Sequence, residues 1–170
     1  QWPSSAASDV YKRQEYGYTD IQHDPFSYFG QNTANLVVTK TGCKYPNTYV
    51  IIDGHYDTKN GPGTNDNGSG TAILLEIARL LVDVETEYSI KFIHFSGEED
   101  GLRGSQHYVD NVVIPENMDI KILFNIDEVG GVNGMTNDII VCERDEGNPP
   151  GNNAQSAAMT QFLANCVGLY

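Results

Sequence analysis

Apolar and β-branched positions fall in short runs separated by clusters of Gly, Asn, Asp and Pro. Residues 36–40 and 49–53 are two such runs parted by the turn-like Thr41-Gly42, and they predict neighbouring strands. A loop rich in Gly, Asn and Pro follows over 59–67. Over 71–84 the period changes. Ile73, Leu74, Ile77, Ala78 and Leu81 recur at helical spacing, and Leu75, Leu80 and Val82 fill the other sides, so a mostly buried helix is expected. The pattern then predicts a strand over 89–95, a helix over 102–112, a strand over 121–126 and a short strand over 139–142. A last helix is predicted from residue 153, with Ala158, Met159, Phe162, Leu163 and Cys166 on its spacing. Strands and helices alternating in this way predict an α/β fold, a three-layer domain with helices packed on a largely parallel (mixed) central sheet.

Residues 1–14 have no sustained apolar period and no apolar core of the kind a secretory leader carries. Residues 5–14 resemble a translated sequencing-adapter remnant, so 1–14 is expected to be non-native and the fold to lie in 15–170. Hydrophobic residues make up 39 % of the chain and 17 of its 170 residues are glycine, an ordinary globular composition. The longest apolar run, near Ile73 to Val82, is broken by Glu76 and Arg79, well short of the ~18 residues a membrane helix needs. Ten basic against 23 acidic residues give a net charge of -13, which repels phosphate backbones and anionic membrane surfaces. Neither nucleic acid nor membrane is therefore an expected partner. Cys43, Cys142 and Cys166 are odd in number and form no C-x-x-C, so they make neither a thiolate metal site nor a complete disulfide framework.

The chemistry gathers where strands end. His55 and Asp57 leave the second strand two residues apart, facing the same side while the backbone stays extended. One imidazole nitrogen can then hold a metal while the carboxylate fixes the other N–H. In the loop Gly63-Thr64-Asn65-Asp66-Asn67-Gly68-Ser69-Gly70, Asn67 or Ser69 suits a helix N-cap, and Asp66, just before the cap, is free to point out. The strand at 89–95 runs into Ser96-Gly97-Glu98-Glu99-Asp100-Gly101. Adjacent side chains diverge on an extended backbone, so Glu98 and Glu99 are expected to take different roles, one toward a metal and one toward a water. Asp127 ends the strand at 121–126. In open α/β sheets ligands bind beyond the carboxyl ends of the strands, where these residues fall. A histidine–carboxylate set without thiolates suits zinc, or manganese or cobalt.

Four segments in order resemble the signatures of the M28 family of zinc exopeptidases, the bacterial leucyl-type aminopeptidases. They are Gly54-His55-Tyr56-Asp57-Thr58, residues 63–70, residues 96–105 from Ser96 to Ser105, and Asn125-Ile126-Asp127. The resemblance spans 36–170 and implies the zinc-exopeptidase fold, with 15–170 as the N-terminal part of a catalytic domain truncated at its C-terminus. It implies two zinc ions, one held by His55 and Asp127 and the other by Glu99, with Asp66 bridging both. Glu98 would be the general base and Asp57 the partner that orients His55. The family also carries a non-proline cis peptide after the bridging aspartate, here Asp66–Asn67.

The activity implied is removal of the N-terminal residue from a peptide by a zinc-activated water, in a monomeric, secreted or periplasmic enzyme. The family's further zinc-ligating histidine, downstream of Asp127, has no counterpart among His23, His55, His94 and His107, so the fragment alone is expected to be inactive. Two alternatives share the fold. One is a mono-zinc acyltransferase of the glutaminyl-cyclase type, which His55 speaks against. The other is a non-catalytic ectodomain, which the retained carboxylates speak against.

Overall fold

The computed structural model describes residues 4–131, 133–134, 136, 139–147 and 150–168. It divides into two compact units, residues 1–131 and 132–170. The first holds helix α1 (Ser4–Tyr16), strands β1 (Ile21–Tyr28), β2 (Gln31–Lys40) and β3 (Tyr45–His55), helix α2 (Gly68–Leu81), strand β4 (Tyr88–Phe95), helix α3 (Arg103–Tyr108) with a π-helical turn at Val109–Val113, and strand β5 (Asp119–Asn125).

The strands form one sheet in the order β1-β2-β4-β3-β5. β1 pairs with β2 and β2 with β4 antiparallel, while β3 lies parallel to both β4 and β5. The mixed α/β architecture expected from the pattern is present, with the parallel half confined to β4, β3 and β5. Residues of the central strands alternate between two cores, as a period of two requires. Val38, Ile52, Ile90 and Phe92 pack with Tyr18 and with Leu74 and Ala78 of α2. Val37, Ile51 and Ile93 pack on the other face with Tyr108 of α3 and with Val112 and Val113. Covering on both faces buries β4 from residue 89 to residue 94, its polar Ser89, Lys91 and His94 included.

Two elements have no forerunner in the pattern. β1 is an edge strand that contains Pro25 and exposes much of its length, and proline within a run argues against a strand except at an edge. Its hairpin to β2 turns on Phe29 (φ 46°) and Gly30 (φ 78°), two left-handed residues in the manner of a type I′ turn but without the Asn-Gly signal. The second is α1, most of which falls in the stretch expected to be non-native. It buries Arg13, whose guanidinium reaches His94 Nε2 at 3.4 Å and lies 5.3 Å from the Phe92 ring centre.

The second unit holds a 3-10 turn at Pro150–Asn152 and helix α4 (Asn153–Val167), the last helix expected from the sequence. The strand predicted over 139–142 is not formed. Ile139, Ile140 and Val141 are exposed and lie in no strand, and an apolar run without a ladder partner cannot become one. None of the three cysteines is in a disulfide.

Candidate metal centre

Because β3, β4 and β5 are parallel, their carboxyl ends share one edge of the sheet, and the residues that follow them converge there. His55 closes β3 at 3 % exposure. Its Nδ1 lies 3.0 Å from the Asp57 backbone oxygen and 3.6 Å from that residue's Oδ1. The nearer partner is thus the carbonyl of Asp57 rather than the carboxylate that H-x-D spacing suggests. The carboxylate instead accepts the backbone N–H groups of Glu98 (3.1 Å) and Glu99 (3.2 Å), tying the loop after β3 to the loop after β4.

With Nδ1 so engaged, Nε2 faces the carboxylates. Asp66 Oδ1 is 3.0 Å away, Asp127 Oδ1 3.5 Å and Glu98 Oε2 3.9 Å. None of these contacts has hydrogen-bond geometry, so Nε2 is a buried nitrogen with no hydrogen-bond partner. A buried polar atom in that condition costs about 1–3 kcal/mol unless something else satisfies it. Ligand atoms of His55, Asp66 and Asp127 all lie within 4.8 Å of one another. One imidazole nitrogen and two carboxylate oxygens are a donor set that zinc accepts, and the residues therefore fit the metal.

Asp66 and Asp127 come from separate loops, and one side chain registers them. Asn67, 1 % exposed and one of the two caps the sequence offers, caps α2 by accepting the Gly70 N–H at 2.9 Å. Its Oδ1 also accepts the Glu128 N–H at 3.3 Å, and its Nδ2 donates to the Ile126 carbonyl at 2.8 Å. The backbone on both sides of Asp127 is thus bound to the residue after Asp66. The Asp66–Asn67 peptide is cis, as the resemblance implies. Gly54 and Gly70 allow the close approach, since a Cβ on either would run into the Ile126 backbone oxygen. The sequence marks Asn67 only as a cap, because its reach to residues 126 and 128 has no local signature.

The adjacent glutamates diverge as expected. Glu98 turns toward His55 Nε2, whereas Glu99 Oε1 accepts the Lys59 N–H at 3.1 Å and lies outside the His55–Asp66–Asp127 triplet. The other histidines sit in β1 (His23), β4 (His94) and α3 (His107), and none joins the triplet. Sequence reasoning also missed Asp53, buried two residues before His55. Its Oδ1 accepts from Asn125 Nδ2 at 2.7 Å, its Oδ2 is buried without a partner, and burial lifts its carboxyl to about 6.

Burial opposes charge on His55, but the Asp57 side chain and the carboxylates of Asp127 and Glu98 outweigh it and lift the imidazole to about 9. Burial, with Asp127, Asp57 and Glu99 nearby, pushes the Glu98 carboxyl up against the pull of His55. Burial pushes Asp57 up too, but His55 and the two amides prevail and hold it below its ordinary value. The metal-free centre therefore keeps a proton on His55 at neutral pH. Its folded-state value exceeds the ordinary 6.5, so this ion cluster stabilises the metal-free fold fully below about 6.5 and ceases to do so as pH rises through about 9. A metal must displace that proton. Calorimetric zinc titrations at pH 7 in buffers of different ionisation enthalpy should show His55 releasing close to one proton. An unperturbed imidazole would release only about a quarter, and that lower value would contradict the assignment.

An imidazole nitrogen without a hydrogen bond, facing carboxylates at the carboxyl edge of a mixed sheet, makes this an α/β protein with a candidate histidine–carboxylate metal site. The sequence profile of peptidase family M28 matches residues 35–165, and the chain belongs to this family. Aminopeptidase YwaD of Bacillus subtilis (strain 168) is 41 % identical over 107 residues, 61 % of this chain and 23 % of that protein. The structure of a zinc aminopeptidase from Bacillus subtilis matches with a TM-score of 0.56 at 40 % identity, covering 61 % of this chain and 26 % of that one. A glutaminyl cyclase from Bacteroides thetaiotaomicron bound to N-acetylhistamine shares the fold, with a TM-score of 0.58 at 23 % identity over 75 % of this chain and 53 % of that one. The matched part of the chain spans about a quarter of the length of the Bacillus subtilis aminopeptidase sequence and of the solved structure.

Proposed function

We propose that this chain belongs to a two-zinc aminopeptidase that removes the N-terminal residue of peptides. The observation that carries this reading is the buried Nε2 of His55, which makes no hydrogen bond and has three carboxylate oxygens within 3.9 Å. His55 and Asp127 would hold one zinc, Glu99 would contribute to the other, and Asp66 would bridge them. The ions supply Lewis acidity, which polarises the scissile carbonyl and makes water acidic enough to attack at neutral pH.

The chain's own residues do the rest. Glu98, its carboxyl raised by burial and neighbouring anions, takes a proton from the attacking water on its carboxylate and passes it to the nitrogen of the leaving amine. Asp57 holds Glu98 and Glu99 through their amides and His55 through its carbonyl, so one residue orients a ligand and the base together. The acidic centre attracts a free N-terminal ammonium, which favours an aminopeptidase over a carboxypeptidase. The 170 residues alone, with no further histidine for the second zinc, are expected to turn over substrate barely.

The test is hydrolysis of leucyl anilide by the complete enzyme before and after chelation, with zinc added back. The reading requires release that chelation abolishes and zinc restores. Cyclisation of N-terminal glutaminyl peptides without anilide release would replace it with the cyclase reading. No turnover of either substrate by zinc-loaded enzyme would leave a non-catalytic domain.

A further inference from the structure

The loop over residues 96–104, which carries Glu98 and Glu99, has to leave β4, present two carboxylates and enter α3 within nine residues. It does so through left-handed residues at Gly97 (φ 71°), Gly101 (φ 96°) and Leu102 (φ 58°). Such a loop has few ways to hold itself, and its internal hydrogen bonds, from Gly101 and Leu102 to the Glu98 carbonyl and from Arg103 to the Gly97 carbonyl, lie at its far end. Thr33 of β2 bonds the Ser96 hydroxyl at 2.8 Å, and one further side chain of that strand reaches the backbone of both roots. Asn35 of β2, 0 % exposed, accepts the Ser96 N–H on Oδ1 at 3.1 Å and donates from Nδ2 to the Gly104 carbonyl at 2.9 Å. Nδ2 also donates to Asp24 Oδ2 at 2.8 Å, and Asp24 Oδ1 lies 3.2 Å from His107 Nε2 on α3. Gly104 has to be glycine for this contact, because a Cβ there would meet Asn35 Oδ1 and the Ser96 oxygen.

We infer that Asn35 is a positioning residue of the catalytic centre, fixing both roots of the loop so that Glu98 and Glu99 meet the metal site in register. The inference rests on the roles proposed above for those two glutamates. Asp57 holds the middle of the loop through the Glu98 and Glu99 amides, and Asn35 holds its ends. Without Asn35 a buried N–H, a buried C=O and a carboxylate each lose a partner. The loop then regains water contacts only by shifting outward, carrying the base away from the reacting atoms. Displacements of about 1 Å at a reacting centre are enough to cost on the order of a hundredfold in rate.

The experiment compares Asn35→Ala and Asn35→Asp in the complete enzyme with Val38→Ala, a control three residues along the same strand, buried in the opposite core. Asn35→Asp keeps the volume and the acceptor for Ser96 but turns the donor contacts to Gly104 and Asp24 into repulsions, so where a variant fails to fold Asn35→Asp is paired with Asp24→Asn, which returns a donor to that contact. Both Asn35 variants should lose at least about tenfold in kcat at nearly constant KM. Their cobalt-substituted forms should show altered visible bands as Glu99 shifts. Val38→Ala, at matched loss of Tm, should keep wild-type kcat and the wild-type cobalt spectrum. Asn35 variants that behave like Val38→Ala, losing Tm alone, would overturn the inference. A Glu98→Gln variant measured alongside separates the two claims, since full activity there would remove the underlying reading whatever Asn35 does.

Discussion

Glu98→Gln in the complete enzyme should keep both zincs and lose at least about a hundredfold in kcat with little change in KM. The substitution preserves shape and a hydrogen-bonding oxygen but cannot accept a proton, so it removes an interaction made mainly in the transition state. The geometry supports giving this role to Glu98 rather than its neighbour. Glu98 Oε2 is 3.9 Å from His55 Nε2, and burial and surrounding anions raise its carboxyl, whereas Glu99 is turned toward Lys59. On the ligand role proposed for Glu99, Glu99→Gln would replace an anionic donor with a neutral one. Zinc should be held more weakly in that variant, and excess metal should restore part of its activity. Loss of metal in Glu98→Gln with retention in Glu99→Gln would mean that the roles are exchanged. Undiminished turnover in Glu98→Gln would remove the general-base mechanism.

Asp66→Ala should lower zinc at both sites together. Asp66 Oδ1 is the carboxylate oxygen nearest His55 Nε2, at 3.0 Å, and its residue is registered against the Asp127 strand end through Asn67. A bridging carboxylate both supplies a donor to each ion and offsets the repulsion between two cations, so its removal weakens both. His55→Ala, by contrast, should mainly empty the one site that Asp127 shares. Atomic emission on dialysed proteins distinguishes these outcomes. An equal, single loss of zinc in the two variants would exclude bridging.

The elements nearest this chemistry were legible because burial writes a period into the sequence. β3, β4, β5 and α2 are covered on one or both faces, and each carries the matching run or helical repeat. The carboxylates and His55 were legible for another reason. Strand ends are where a parallel sheet brings ligands together, so polar residues placed straight after apolar runs stand out. What the pattern missed is held by long-range polar contacts. β1 contains a proline and is half solvated, and α1 is anchored by a buried arginine, which no hydrophobic period marks. Asn35 precedes the apolar run at 36–40, so the predicted strand began one residue too late to include it. Asn67 was found as a cap while its contacts 59 and 61 residues away were invisible. The converse holds at 139–142, where an apolar run predicts a strand but pairs with none.

The most direct test of the metal centre is anomalous scattering from crystals of this chain grown with zinc, measured on both sides of the zinc absorption edge. The account predicts a zinc peak within bonding distance of His55 Nε2 and of carboxylate oxygens from both Asp66 and Asp127. It also predicts that this peak disappears in His55→Ala crystals. Zinc bound only elsewhere, at His23, His107 or the cysteines, with His55 Nε2 left facing its carboxylates alone, would contradict it.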